Sequence, residues 1–173
     1  EDFRAMVNEH GLSVDAQEAG IRKITFGDND VYAVKLGSGA VESAISTQEI
    51  LVRLNIDVAF SVGVVGSLTD RLEVGDLVSV QDVVAWQKVP FANFSRPAAN
   101  SVKLENWKRS DESILTETMK TLNSVRVASG EIFIKSSEYR EMILRATNAD
   151  VIDMNLFGLL SALRRHDLPS WHL

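Results

Sequence analysis

The chain contains no cysteine, which excludes disulfide bonds and thiol catalysis and is compatible with a reducing cytosol. Histidine is also scarce, because the sequence has only His10, His166 and His172, with no close pairing among them. Structural and catalytic zinc sites are built mainly from cysteine and histidine ligands. The composition therefore argues against a zinc site, and we expect no bound metal.

Long apolar runs and an excess of positive charge are absent as well. No run approaches the roughly 20 apolar residues needed to span a membrane, and no signal peptide is visible at the N-terminus. The net charge of −6 contrasts with the basic patch typical of a nucleic-acid-binding surface. We therefore expect a cytoplasmic protein that binds neither nucleic acid nor membrane.

The length of 173 residues suffices for one domain with a sizeable core, and a hydrophobic content of 45% is ordinary for a globular protein. Both ends of the sequence interrupt predicted elements. Residues 1–9 are helix-like, and residues 170–173 read as the start of a strand. We therefore predict a single domain over residues 1–173 that lacks its first strand and its C-terminal part.

Strand-like and helix-like segments alternate along the chain. The first half predicts a hairpin of residues 21–26 and 31–36, a helix over 41–54, a strand over 56–61 and another over 77–84. The rest of the sequence predicts a long loop over 87–106 and a helix over 112–122. It then predicts strands at 125–127, 132–134 and 151–154, helices at 137–146 and 155–165, and a strand from residue 168. The apolar run over 57–65 is typical of a strand buried on both faces. This alternation favours a layered α/β fold with a mixed sheet.

A glycine-spaced turn is the most informative motif. Residues 61–68 read SVGVVGSL, and VGDLV follows at residues 74–78. Gly63 and Gly66 let a ligand approach the backbone, since glycine has no Cβ and tolerates positive φ. Open α/β sheets bind ligands at the carboxyl ends of their strands, so we expect the binding site here. The alternative is a tight turn between two strands that binds nothing.

Four stretches in order carry a family resemblance. They read VKLGSG at 34–39, SVGVVGSL with VGDLV within 61–78, VASGEIFI at 127–134 and VIDMN at 151–155. Together they resemble the nucleoside phosphorylase/nucleosidase superfamily, most of all its methylthioadenosine/S-adenosylhomocysteine nucleosidase branch. The resemblance implies a three-layer α/β fold with a central mixed, mostly parallel sheet flanked by helices. It also implies hydrolysis of the N-glycosidic bond of a purine (5′-thio)nucleoside, as in methionine salvage.

The resemblance assigns the substrate-binding positions. They are Val64, Val65, Gly66, Phe133, Ile134, Ser137, Ile152, Asp153, Met154 and Asn155. The turn over 64–66 would lie beside the ribose and the attacking nucleophile. Phe133 would stack on the purine, for which an aromatic ring contributes roughly 1–3 kcal/mol, and the backbone of Ile134 would bond the base. The alternatives are that Phe133 belongs to the core and that Ser137, or Ser136 before it, only caps a helix.

Asn155 departs from the family pattern, which has glutamate at this position to hold the ribose hydroxyls. An amide bonds a hydroxyl less strongly than a carboxylate does and offers a single oxygen. The resemblance therefore implies weaker ribose binding or a different ligand, with Met154 packed against the sugar. The alternative is that Asn155 caps the helix that follows, a position for which asparagine is well suited.

The general acid and base of the reaction are harder to assign. The resemblance implies an acidic aspartate beyond Leu173 and a glutamate base that lies upstream of Glu1 or, in another register, is Glu1 itself. Phosphorylases of this superfamily hold phosphate with an arginine shortly before the glycine turn, where this chain has VAFSV at 58–62. Water is therefore the expected nucleophile; a phosphate-dependent phosphorylase and a non-catalytic nucleoside-binding or storage member remain as alternatives.

The resemblance further implies no metal or organic cofactor and a homodimer that acts on a small-molecule purine nucleoside. Family members use the region of the long loop for dimer contact and for closing the pocket. Trp86, Phe91 and Phe94 lie in that region and are candidates for either role. Ordinary packing is the alternative for all three.

Overall fold

The computed structural model describes residues 14–16, 21–26, 28–88, 101–103 and 123–172. The chain divides into two compact units, residues 1–36 and residues 37–173, which are described separately. The predicted helices at 1–9 and 112–122, together with Phe91 and Phe94, lie outside the described residues.

The first unit contains a three-stranded antiparallel sheet. Its strands are β1 (Val14–Ala16), β2 (Ile21–Phe26) and β3 (Asn29–Val34), in the order β1-β2-β3. Strands β2 and β3 pair from Ile21 with Val34 to Phe26 with Asn29, which confirms the predicted hairpin. The second strand begins two residues earlier than expected, because the connection needs only two residues, a common length for hairpin loops.

A five-stranded mixed sheet forms the centre of the second unit. Its strands are β5 (Gly66–Ser67), β6 (Val78–Ala85), β7 (Ser101–Lys103), β8 (Asn123–Ser129) and β9 (Val151–Asp153), and their order is β5-β9-β8-β6-β7. Strands β6, β8 and β9 are parallel, whereas β5 and β7 pair antiparallel at the two edges. The sheet is therefore mixed with a parallel centre, as predicted, and β7 lies within the segment predicted to be a long loop.

The central strands form because their side chains are β-branched and buried on both faces. Val83, Val84, Val125, Val127 and Val151 are each at most 1% exposed, as expected for parallel strands covered by helices. Trp86 is also buried and belongs to the cluster around Val84. Ordinary packing is therefore the role that the structure gives to Trp86.

A separate pair of parallel strands consists of β4 (Ala59–Ser61) and β10 (Ser170–His172). The predicted return of the chain to a sheet after residue 168 is confirmed. The prediction of a strand buried on both faces over 57–65 is wrong, because Phe60 is 53% exposed and Val64 is 98% exposed. Strand β4 has only three residues, and the apolar residues after Ser61 lie in the turn rather than in the sheet.

Three α-helices lie in the described part of the chain, α1 (Ala40–Arg53), α2 (Ser137–Thr147) and α3 (Leu156–Arg165), and a short 3₁₀-helix spans Trp86–Lys88. Each α-helix was predicted to within two residues. Helix α3 buries Leu156, Leu159, Leu160 and Leu163 along one side, as its apolar spacing requires. Helices α1 and α3 pack so closely that a Cβ on Gly158 would collide with the carbonyl of Ala40.

The predicted strand over 132–134 is wrong. Strand β8 ends at Ser129, and the following Gly130 donates its N–H to the carbonyl oxygen of Asp153 at 3.1 Å. This bond turns the chain across the end of β9, so residues 130–136 form a loop that leaves the sheet. The apolar pattern of residues 132–134 reflects side chains of a loop, and Ile132 is 55% exposed.

Candidate functional site

The carboxyl ends of neighbouring parallel strands meet at one edge of the five-stranded sheet. Ser129, the last residue of β8, is in register with Asp153, the last residue of β9. The Ser129 hydroxyl accepts a bond from the N–H of Phe157 at 3.0 Å, which ties this edge to the first turn of α3. The structure thus brings together the stretches 127–134 and 151–155, at the kind of strand edge where α/β proteins bind ligands.

The glycine turn reaches the same edge through β5. Gly66 pairs with Ile152 of β9, and a Cβ on Gly66 would lie 3.2 Å from the side chain of Ile152. Val64 projects into solvent, Val65 is partly buried, and nothing lies within 4 Å of a Cβ placed on Gly63. The described glycines with positive φ are Gly39 and Gly75. Gly63 and Gly66 therefore do not adopt the left-handed conformation, and what they give this turn is an exposed backbone.

The loop after β8 presents an aromatic ring. Phe133 is 69% exposed, so the alternative that it belongs to the core is wrong. Ile134, next in the chain, is partly buried and packs against the core cluster, which anchors the loop. The hydroxyl of Ser136 accepts the N–H of Tyr139 at 3.5 Å and caps α2. Ser137 is the first residue of that helix and is exposed, so it is not the cap.

The side chains at the end of β9 and directly after it bond to backbone groups, which the sequence did not predict. The Asp153 carboxylate accepts the N–H groups of Asn155 and Leu156, at 2.8 and 2.7 Å, through one oxygen. Asn155 occupies the N-cap position of α3, as the alternative predicted, but its side chain makes no capping hydrogen bond. The Asp153 carboxylate makes the capping bonds instead. Met154 is partly buried between them in the chain.

Asn155 instead joins the α3 N-terminus to the turn before α1. Its Oδ1 accepts the N–H of Gly39 at 2.9 Å, and its Nδ2 donates to the carbonyl oxygen of Gly37 at 3.0 Å. Both ends of the amide are thus used by the backbone of one turn. A carboxylate at this position would have no donor for the Gly37 carbonyl oxygen, which gives asparagine a structural role here.

Glu131 is a residue at this edge that the sequence did not single out. Its Oε1 accepts the N–H of Val41 at 2.8 Å, in the first turn of α1. Its Oε2 lies so close to Gly39 that any Cβ there would collide with it. Because the N-cap of α1 is a glycine without a side chain, another residue has to satisfy the free N–H groups, and that need is the signal that could have led to Glu131.

A buried imidazole lies at the end of β4 and β10. His172 is 5% exposed, and its Nδ1 is 2.5 Å from the hydroxyl of Ser61 while its Nε2 is 3.0 Å from the hydroxyl of Ser170. Burial lowers the pKa of His172 from 6.5 to about 4, because desolvation disfavours the charged form. The imidazole is therefore neutral at physiological pH and donates from one nitrogen while accepting at the other.

Neither a metal-binding group nor a membrane-spanning helix occurs among the described residues. No group of three or more His, Cys, Asp or Glu side chains in them could hold a metal ion. Their helices are all too short or too polar to cross a bilayer. Glu1, the candidate base, lies outside the described residues.

A family model described as the phosphorylase superfamily matches residues 7–170. The chain belongs to this superfamily. Its mixed sheet flanked by helices is the nucleoside phosphorylase-like fold that the resemblance implied.

Bacterial nucleosidases are similar to the chain in sequence. A 5′-methylthioadenosine/S-adenosylhomocysteine nucleosidase of Thermotoga maritima is 30% identical over 130 residues, which cover 75% of this chain and 57% of that protein. A nucleosidase of the same name from Staphylococcus aureus strain NCTC 8325 is 23% identical over 150 residues, covering 82% and 65%. The chain thus spans less than two thirds of the length of either relative.

Solved structures of the superfamily have the same fold. The native futalosine hydrolase of Helicobacter pylori superposes with a TM-score of 0.79 at 18% identity, covering 96% of this chain and 78% of that one. A mutant of the Helicobacter pylori nucleosidase, with 5′-methylthioadenosine in its active site, gives a TM-score of 0.80 at 18% identity, covering 99% and 78%.

Proposed function

We propose that the protein hydrolyses the N-glycosidic bond of a purine 5′-thionucleoside and releases the base. Membership of the superfamily supports this proposal, as do the named nucleosidases among its relatives in sequence. The observation that carries it is the convergence at one strand edge of three of the four stretches that carry the resemblance, those within 61–68, 127–134 and 151–155. Gly66 lies beside Ile152, and the loop with Phe133 begins beside Asp153.

The geometry of that edge suits a flat base joined to a sugar. The exposed ring of Phe133 offers a stacking surface, and every purine presents a π face to such a ring. The backbone near Val64 is open to solvent and suits the sugar and the attacking water. Ser137 and Met154 complete the proposed pocket.

Cleavage of the glycosidic bond needs a proton for the leaving purine and a base near the attacking water. The transition state would be oxocarbenium-like, as in other glycoside cleavages. The described residues contain no group that we assign to either proton transfer. Glu1 remains one candidate for the base, and the acid is expected to follow the strand that contains His172.

Water is the proposed nucleophile because no arginine lies in residues 58–62, directly before the glycine turn. The test is to incubate the purified protein with 5′-methylthioadenosine and to quantify adenine by chromatography, with and without phosphate. Release of adenine without phosphate is the expected result. Release that requires phosphate would instead identify a phosphorylase.

One observation favours a second candidate, a member that binds a purine nucleoside without cleaving it. Both ends of the Asn155 amide are bonded to the backbone of Gly37 and Gly39, so its capacity to hold sugar hydroxyls is reduced. Binding of 5′-methylthioadenosine measured by calorimetry, with no release of adenine under any condition, would support this candidate over the enzyme.

We also propose that the protein is a homodimer. Helix α1 exposes Val41, Ile45 and Val52, which are 60%, 50% and 74% exposed and lie along one side of the helix. Burying these side chains against a second copy would remove apolar surface from water. Light scattering after gel filtration is expected to give twice the chain mass, and Ile45→Lys is expected to give the monomer.

We further propose that the protein acts in the cytoplasm, in methionine salvage. The absence of cysteine is compatible with this reducing compartment. Cell fractionation followed by immunodetection tests the location. Accumulation of 5′-methylthioadenosine in cells that lack the protein would be the expected sign of its place in salvage.

A further inference from the structure

The sugar of a nucleoside presents hydroxyl donors, for which carboxylates are strong partners. Two carboxylates, Asp153 and Glu131, lie among the described residues at the strand edge. One oxygen of Asp153 accepts the N–H groups of Asn155 and Leu156, and its other oxygen is buried. Asp153 therefore caps α3 through one oxygen, and its second oxygen is buried away from solvent without a hydrogen-bond partner among the described residues.

Glu131 differs from Asp153 in exposure and in spare bonding capacity. Its side chain is exposed, and Oε1 accepts one bond, from the N–H of Val41. Oε2 lies over Gly39, the residue whose N–H is bonded to the Asn155 amide. A carboxylate offers about four acceptor sites, so Glu131 keeps capacity for hydroxyl donors beside Asn155.

The position of Glu131 is set by three parts of the fold. The first turn of α1 attracts the carboxylate through its free N–H group and its helix dipole. The backbone N–H of Glu131 donates to Oε1 of Gln87 at 2.7 Å, and the preceding Gly130 is bonded to Asp153. Phe133 follows two residues later on the same loop, so this loop positions both the Glu131 carboxylate and the exposed ring of Phe133.

We propose that Glu131 is the specificity-determining carboxylate of this site and binds the vicinal 2′ and 3′ hydroxyls of the sugar. This inference rests on the proposed function. In this arrangement Asn155 holds the turn that positions α1, and Glu131 supplies the negative charge that recognises the diol.

The test is calorimetric titration of the full chain with two probes, 5′-methylthioadenosine and its 2′,3′-dideoxy analogue. A hydrogen bond to a charged group is worth about 1.5–3 kcal/mol, which corresponds to a preference of about 10- to 100-fold for the ribonucleoside. Glu131→Gln keeps an oxygen for the Val41 N–H but removes the charge, and it is expected to reduce this preference to about threefold or less.

Two further variants complete the test. Glu49→Gln changes an exposed glutamate later on the same helix α1 and is expected to keep the wild-type preference. Glu131→Asp retains the negative charge and is expected to retain more of the preference than Glu131→Gln does. A thermal melt of each variant shows whether it is folded before titration.

The outcomes separate this inference from the proposed function. A Glu131→Gln protein with the wild-type preference and a lower melting temperature would make Glu131 a helix cap only, which overturns the inference. Equal binding of the two probes by the wild type would also overturn it while leaving nucleoside binding intact. Failure of the wild type to bind or cleave either probe would refute the proposed function itself.

Discussion

Acid sensitivity through His172 is the prediction that the structure defines most sharply. The folded protein keeps this imidazole neutral because His172, the last residue of β10, is buried beside Ser61 of β4, and burial lowers its pKa to about 4. In the unfolded chain the pKa returns to its ordinary value of 6.5. Between these two values the unfolded chain binds one proton more than the folded protein, so the free energy of unfolding rises with pH.

The magnitude follows from the difference between the two pKa values. One pKa unit corresponds to about 1.4 kcal/mol, so His172 contributes about 3 kcal/mol of stability that is fully present above pH 6.5. This contribution is lost as the pH falls toward 4, and about 2 kcal/mol of it is lost by pH 5.

The assay is urea unfolding at a series of pH values between 7.5 and 4.5, applied to the wild type and to His172→Gln. The variant is expected to be less stable at neutral pH, because Ser61 and Ser170 lose their partner. Between pH 7.5 and 5, the free energy of unfolding of the variant is also expected to fall by about 2 kcal/mol less than that of the wild type. Carboxylates are common to both proteins and cancel in the comparison.

His166→Gln is the matched control, since it removes an exposed imidazole from the end of α3. If the wild type and His172→Gln lose stability in parallel as the pH falls, the reasoning is refuted and His172 is not held neutral by burial.

Three further predictions concern single side chains. Asn155→Ala should lower the free energy of unfolding by about 2 kcal/mol, because two backbone groups lose their partners; a loss below about 0.5 kcal/mol in urea unfolding would contradict the proposed role of the amide. Gly158→Ala should lower the free energy of unfolding by about 1–3 kcal/mol in the same assay, since the new Cβ collides with the Ala40 carbonyl. Gly63→Ala has open space around the new Cβ and should leave the free energy of unfolding nearly unchanged. Phe133→Ala should weaken binding of 5′-methylthioadenosine by about 1–3 kcal/mol in calorimetry, with little change in melting temperature. The control Phe133→Tyr keeps an aromatic ring and should bind like the wild type. An unchanged affinity of Phe133→Ala would exclude stacking on this ring.

The elements that the sequence predicted well are those whose pattern is local. The hairpin of β2 and β3, helix α1 and helix α3 all depend on turn residues and apolar spacing within a short window. The central strand β6 was predicted for the same reason, since Val83 and Val84 belong to a continuous apolar run and are buried on both faces.

The wrongly predicted strands are apolar segments that have no neighbouring strand to pair with in the described part of the fold. Ile132 and Phe133 read as a strand, but the bond from Gly130 to Asp153 turns the chain away from the sheet. Val62 and Val64 read as buried, but they follow the end of β4 and face solvent. Strand pairing is a long-range property, so hydrophobicity within a window does not decide it.

The sequence by itself determined the superfamily, the α/β class and the strand edge that forms the candidate site, because short motifs and periodicity encode them. Only the tertiary structure decided what Asn155, Asp153 and Glu131 do with their side chains. The partners of Asn155 lie 116 and 118 positions away in the chain, and the partner of Glu131 lies 90 positions away. Hydrogen bonds between residues so far apart exist only after folding has brought the first turns of α1 and α3 together.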